Sequence, residues 1–216
     1  MIKGVIFDLD GTTIYTIEDL GDSVNMALKE FGFPDKTYEE VTAVIGRGSK
    51  KLIEDVVPEG TSVKIQEKLL KRYIEIYKEN LDVKSVAYEG MVELVRTLQE
   101  KGIKVAVNSN KPDDMTKKLI YKCYHDIDFV AVYGSRPDVP NKPDPATANE
   151  IADLMGLKNE EIMYIGDSDV DIKTAKNAHM VSCGCLWGYR DLQNLLNAGA
   201  DHIVSKPEEI LRCLNE

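Results

Sequence analysis

Val5-Ile6-Phe7-Asp8-Leu9-Asp10-Gly11-Thr12 is the stretch that decides the fold. Three large apolar residues, two of them β-branched, read as a short buried strand, and the acidic, glycine-containing run after them reads as the turn that ends it. Side-chain alternation sends Asp8 and Asp10 the same way, toward the strand end where open parallel sheets bind ligands. Two carboxylates on one side repel each other unless a cation or a shared proton relieves them. Gly11 permits a turn that a residue with a Cβ would resist. Alone, the stretch supports two readings, a ligand site or an Asx-rich turn with solvated carboxylates.

Outward from it, similar short runs recur at 104–107, 129–132, 162–165 and 181–183, each followed by a turn signal and a helical pattern. Strands alternating with helices imply a parallel sheet covered on both faces, and 202–204 adds a short edge strand. Residues 16–81 break the rule, since they show helical periodicity and no convincing strand, and a simple crossover does not need so much chain. Within them Ile65, Leu69, Tyr73, Ile76 and Tyr77 form a stripe that reads as packed core rather than as ligand contacts. The expected fold class is therefore α/β, a Rossmann-like parallel sheet core with an inserted α-helical cap domain. The core takes residues 1–15 and 82–216 and the cap 16–81, with crossings near 15–18 and 81–88.

Composition bounds the function. The chain has 216 residues, 43% of them hydrophobic, enough to bury a core, and 37 acidic against 27 basic residues leave a formal charge of −10. That balance repels nucleic acid and anionic membrane as main partners, while a small anion remains acceptable if cations gather locally. Cys123, Cys183, Cys185 and Cys213 suggest neither a disulfide framework nor a zinc site, and read as free thiols. No run approaches a membrane span, and Met1 leads straight into the first strand without a leader pattern, so a cytoplasmic protein is expected.

Three more segments carry chemistry. Val107-Asn108-Ser109-Asn110-Lys111-Pro112 closes the second strand; its Ser109 hydroxyl and neighbouring amides suit an anion, or an N-cap for a helix from Pro112 toward Tyr121, and the two are compatible. Lys142, among prolines before a helix starting near Asp144, is either a stiffly held phosphate partner or an exposed bystander. Gly166-Asp167-Ser168-Asp169-Val170-Asp171 ends the fourth strand, where acids at a helix start complement its dipole. Recurrence of such residues at one kind of junction favours a site over isolated caps. In the cap, Arg47 within Ile45-Gly46-Arg47-Gly48-Ser49-Lys50-Lys51 either reaches a distal anion of the substrate or is a solvated charge.

In this order the four segments resemble the motifs of the haloacid dehalogenase-like superfamily: Asp8–Thr12, Ser109, Lys142 and Gly166–Asp171. The helical insert is similar to one cap type of that superfamily, and 88–90, 109–112 and 187–189 resemble its phosphoglycolate phosphatase branch. The resemblance implies that Asp8 is a nucleophile forming an aspartyl-phosphate, and that Asp10 protonates the leaving alcohol and later deprotonates water. It also implies Mg²⁺ held by the Asp8 carboxylate, the Asp10 main-chain carbonyl and Asp167, with Asp171 positioning its neighbours and Lys142. Ser109 and Asn110 would contact the phosphate while Lys142 neutralises it.

An acid at Asp10 favours phosphate esters, since a halide leaving group needs no proton. The expected activity is a Mg²⁺-dependent phosphatase for a small phosphorylated metabolite, in a monomer or homodimer. Inorganic pyrophosphatase, nucleotide or sugar phosphatase, β-phosphoglucomutase, and a catalytically silent binding protein are the alternatives. Two departures stand out: Thr13-Ile14-Tyr15-Thr16 replaces a common Leu-Val-Asp-Ser, and His179 stands where relatives commonly have Gly.

Overall fold

The computed structural model describes residues 1–214. In chain order, β1 (Gly4–Phe7) and β2 (Ile14–Tyr15) precede α1 (Ile17–Glu30), α2 (Tyr38–Val44), α3 (Ser49–Val56) and α4 (Val63–Asn80). There follow β3 (Val86–Ala87), α5 (Met91–Glu100), β4 (Lys104–Pro112), α6 (Asp113–Cys123), β5 (Ala131–Ser135) and α7 (Ala146–Met155). The chain ends through β6 (Ile162–Gly166), α8 (Asp169–Asn177), β7 (Val181–Cys185), α9 (Leu192–Asn197), β8 (His202–Val204) and α10 (Ile210–Cys213).

Six strands form one parallel sheet in the order β5-β4-β1-β6-β7-β8. The fold is thus α/β and Rossmann-like, as the alternation of strand and helix patterns predicts. Because β1 lies between β4 and β6, Phe7 pairs with both Val107 and Ile165. From β1 the chain runs outward through β4 to β5, then crosses to the other side of β1 for β6, β7 and β8, and this switch point opens a crevice beyond the strand ends. Asp8, Ser109 and Asp167 therefore come side by side.

Strand periodicity sorts β1 between two cores. Val5 and Phe7 join the core containing Leu94, Leu98 and Met115, while Ile6 joins Ala148, Ile151, Ala152 and Tyr164 on the other face. Each such fully buried side chain contributes about 1.5–3 kcal/mol of transfer free energy, so the position of the Asp8 turn is firmly set.

The four helices α1–α4 lie between β2 and β3, which pair antiparallel through Ile14 with Ala87 and Tyr15 with Val86. This pair is too short for periodicity to reveal. Asp19 in the first turn of α1 accepts the backbone N–H groups of Lys84 and Ser85 and the Ser85 hydroxyl, which ties the outgoing chain to the returning one. Of the expected stripe, Leu69, Tyr73, Ile76 and Tyr77 are buried, whereas Ile65 in the first turn of α4 is 40% exposed.

Three boundaries differ from the sequence reading. β5 begins at Ala131 rather than Phe129, whose ring instead packs edge-on to Tyr124 at 5.8 Å. α7 starts at Ala146, because the Asp144 carboxylate accepts the Ala146 N–H and turns the chain before the helix. β4 runs on to Pro112 across a register shift after Asn108, so the Ser109–Lys111 segment is extended. His179 has φ +56°, the left-handed conformation that glycine adopts freely and that costs a non-glycine roughly 1–2 kcal/mol. Among the described residues, none of Cys123, Cys183, Cys185 and Cys213 forms a disulfide. Among the described residues, no helix is long and apolar enough to cross a membrane.

Candidate active site

Asp8 continues the line of β1, donating its N–H to the Ile165 carbonyl at 2.9 Å. The Leu9 carbonyl then accepts N–H groups from Thr13 and Ile14 at 3.1 and 3.0 Å, folding the chain into a compact turn. Gly11 is required there: its φ is +82°, and a Cβ would fall 2.5 Å from the Asp167 carboxylate. Gly188 is equally confined, since a Cβ would lie 2.2 Å from that of Asp167 and 2.3 Å from the Gly11 carbonyl oxygen.

One carboxylate oxygen from each of Asp8, Asp167 and Asp171 lies within 4.8 Å of the others. Lys142 Nζ sits 2.7 Å from Asp8 Oδ1 and 2.7 Å from Asp171 Oδ1. All four side chains are buried, which rules out the exposed-bystander reading of Lys142. Fully ionised, three acids and one lysine leave a local charge of −2, which a divalent cation balances. Donors that are all oxygen suit a hard cation such as Mg²⁺ rather than zinc.

Within the cluster the acids are not equivalent. Asp171 has both oxygens engaged, Oδ1 by Lys142 and Oδ2 by the Ser168 N–H and hydroxyl at 3.1 and 2.6 Å. This capping box starts α8, so Asp171 is aligned to hold Lys142 and the loop. Asp167 Oδ2 accepts the Tyr189 N–H at 2.6 Å.

The electrostatics of the cluster suit a cation. Burial, reinforced by Asp171 and Asp167, holds the Asp8 carboxyl well above the usual range despite the opposing Lys142. Burial and then Asp171 push Asp167 up to about 7. Burial works against the Lys142 ammonium, but Asp171 and Asp8 outweigh it and raise its pKa.

Asp10 stands apart from these three. β1 ends at Phe7, so strand alternation does not carry through the turn. Asp8 and Asp10 line one cavity but take different partners. Asp10 Oδ1 accepts the Thr16 hydroxyl at 2.5 Å and lies 3.0 Å from Lys111 Nζ. The Lys111 ammonium also donates to Tyr77 Oη at 2.7 Å.

The remaining expected residues divide. Ser109 lines the cavity, and its Oγ accepts the Lys111 N–H at 3.2 Å; it caps no helix, for α6 begins at Asp113 without a side-chain cap. Asn110 lines the cavity too, but its amide is engaged by backbone. Its Oδ1 accepts the Lys142 N–H, while Nδ2 donates to the Gly46 and Lys142 carbonyls. Arg47 is exposed and lines an adjoining groove with Lys50 rather than the cavity over Asp8.

Sequence reasoning missed Lys111 and Tyr77. The signal for Lys111 lay in its two-residue spacing from Ser109 on an extended segment, which puts both on one face. For Tyr77 it lay in the hydroxyl, since a buried tyrosine needs a polar partner. Arg190 was missed as well: it donates to the Thr42, Ala43 and Ile45 carbonyls and clasps the end of α2 to the loop carrying Tyr189.

Residues 5–185 match the family model for haloacid dehalogenase-like hydrolases, and the chain belongs to that family. Among its relatives, phosphoglycolate phosphatase from Mannheimia succiniciproducens is 31% identical, with 97% of each chain covered. The Aquifex aeolicus phosphoglycolate phosphatase is 28% identical over 99% of this chain and 97% of its own. A crystal structure from Lactobacillus delbrueckii subsp. bulgaricus, provisionally named a phosphoglycolate phosphatase, superposes with a TM-score of 0.92 at 27% identity, covering 98% of both chains.

Proposed function

We propose that this hydrolase is a Mg²⁺-dependent phosphatase that cleaves a small phosphomonoester of the phosphoglycolate type through an aspartyl-phosphate on Asp8. The observation that carries the reading is the buried Asp8–Lys142–Asp171 cluster, opening on the same cavity as Asp10. The relatives named phosphoglycolate phosphatase support the substrate class. So does the cavity, which Ile45, Leu52, Tyr73 and Tyr77 line from the helical insert and whose free volume is only about 30 Å³.

In this reading an Asp8 carboxylate oxygen attacks phosphorus, forming an O–P bond as the ester O–P bond breaks. Asp10 delivers its proton to the departing alkoxide, then takes one from the water that attacks the phospho-aspartate and frees phosphate. Lys142 neutralises the equatorial oxygens, and Ser109 donates its hydroxyl to one of them. Asn110 braces the Lys142 backbone. The Asp8 and Asp167 carboxylates, with the Asp10 carbonyl, would hold Mg²⁺, which supplies charge stabilisation for the transferring group. Residues 16–81 act as a cap that keeps bulk water from the phospho-aspartate.

Phosphate release from a panel of phosphorylated metabolites with Mg²⁺ tests the reading, and phosphoglycolate should rank at or near the top. Isomerisation of a hexose phosphate without net phosphate release would point to a mutase. Silence across the panel would sink the enzymatic reading altogether.

Metal and pH are linked through Asp167. Its pKa of about 7 in the fold compares with about 3.9 in an unfolded chain, so the folded state binds the extra proton between those values. Stability without metal should therefore fall as pH rises from about 4 to 7, and Mg²⁺ should offset the loss. The Mg²⁺-induced rise in Tm is expected to be larger at pH 8 than at pH 5; equal shifts in scanning fluorimetry would contradict the linkage.

A further inference from the structure

Two segments converge on one oxygen of Asp10, and a third braces one of them. Thr16, at the entry to the helices between β2 and β3, donates its hydroxyl to Oδ1, and Lys111 of β4 brings its ammonium to the same atom at 3.0 Å. Tyr77 of α4 holds that ammonium in turn, accepting a hydrogen bond at 2.7 Å and presenting its ring face 4.6 Å away. The Lys111 side chain is only 2% exposed. Burying an ammonium this deeply is costly unless it is paired, so Lys111 has little freedom to leave Asp10 while Tyr77 stays in place. Tyr77 is itself fixed, stacked on Tyr73 with ring centroids 5.5 Å apart.

We infer that Lys111, held by Tyr77, is a positioning residue that aims the Asp10 carboxyl at the leaving-group oxygen, so that the seating of α4 sets the acid step of the reaction. Both contacts fall on Oδ1, leaving Oδ2 as the oxygen that exchanges a proton with the ester. If α4 moved outward, Lys111 would lose its acceptor and Asp10 its aim. Ester cleavage would then be suppressed until α4 returned. The inference rests on the phosphatase reading above, in which Asp10 protonates the departing alkoxide.

Leaving-group dependence tests it. An alkyl ester such as phosphoglycolate needs a proton as its O–P bond breaks, whereas p-nitrophenyl phosphate releases a stable phenolate without one. For both esters kcat/KM covers only the steps through formation of the aspartyl-phosphate. Lys111→Met should lower kcat/KM for phosphoglycolate by on the order of 10²-fold, the scale of a general-acid contribution, while p-nitrophenyl phosphate loses only a few-fold. Tyr77→Phe keeps the ring and removes the acceptor, and should show the same selectivity with a smaller drop; it carries the test if Lys111→Met does not fold. Equal loss for both esters in a folded variant, or no loss for either, would overturn the inference. Wild-type protein that splits neither ester in the presence of Mg²⁺ would instead overturn the phosphatase reading.

Discussion

Asp8→Asn is expected to reduce phosphate release by on the order of 10⁴-fold or more, the scale seen when a covalent nucleophile is removed, without loss of the fold. The amide is nearly isosteric with the carboxylate and cannot attack phosphorus. Burial, reinforced by the facing Asp171 and Asp167, holds the native carboxyl well above the usual range. A neutral Asn removes that repulsion, and Lys142 keeps Asp171 as its partner at 2.7 Å. Without divalent cation, the variant should therefore melt no lower than the native protein. Turnover retained by Asp8→Asn in a steady-state assay would exclude the covalent route.

Lys142→Met should have the opposite signature. It removes the ammonium paired with Asp8 and Asp171 and leaves Asp8, Asp167 and Asp171 buried together within 4.8 Å. Breaking a buried pair in this way typically costs roughly 3–5 kcal/mol, because the surviving charges remain desolvated. Activity and stability should fall together. Part of the lost stability should return with Mg²⁺, or on acidification, which protonates the carboxylates. A metal-free Lys142→Met protein as stable as the native one at pH 8 would show that the lysine does not offset the carboxylates. The contrast between the two variants is informative: removing a negative charge should be tolerated and removing the positive one should not.

Much of the site is legible before folding is considered. The residue types at the ends of β1, β4 and β6 are those of phosphoryl-transfer chemistry, and the strand–helix alternation predicts that the ends share one edge of a parallel sheet. Chain-local patterns carry this information: period two for strands, glycine for the turn, and acids at the start of α8. Lys111 and Tyr77 escaped the same reading because nothing local separates a lysine bonded to Asp10 from a solvated one. By pattern, Tyr77 is simply one more member of a packed stripe. Arg47 was left between two readings for a related reason, since a glycine-flanked basic turn looks alike whether its side chain faces a cavity or, as here, an adjoining groove.

From the amino-acid sequence alone follow the α/β class, the helical character of residues 16–81, and the chemical set of Asp8, Asp10, Ser109, Lys142, Asp167 and Asp171. Tertiary structure decides the pairings: Lys142 with Asp8 and Asp171, Lys111 with Asp10 and Tyr77, Asn110 with the backbone around Lys142. It also decides the electrostatics, for the Asp167 carboxyl is pushed up to about 7 by burial and by the close approach of the Asp171 carboxylate, both of which arise only on folding. Periodicity reports how each segment meets its immediate surroundings. Partners far apart in the chain depend instead on strand order, on the register shift after Asn108 and on where α4 comes to rest, and these are properties of the whole fold.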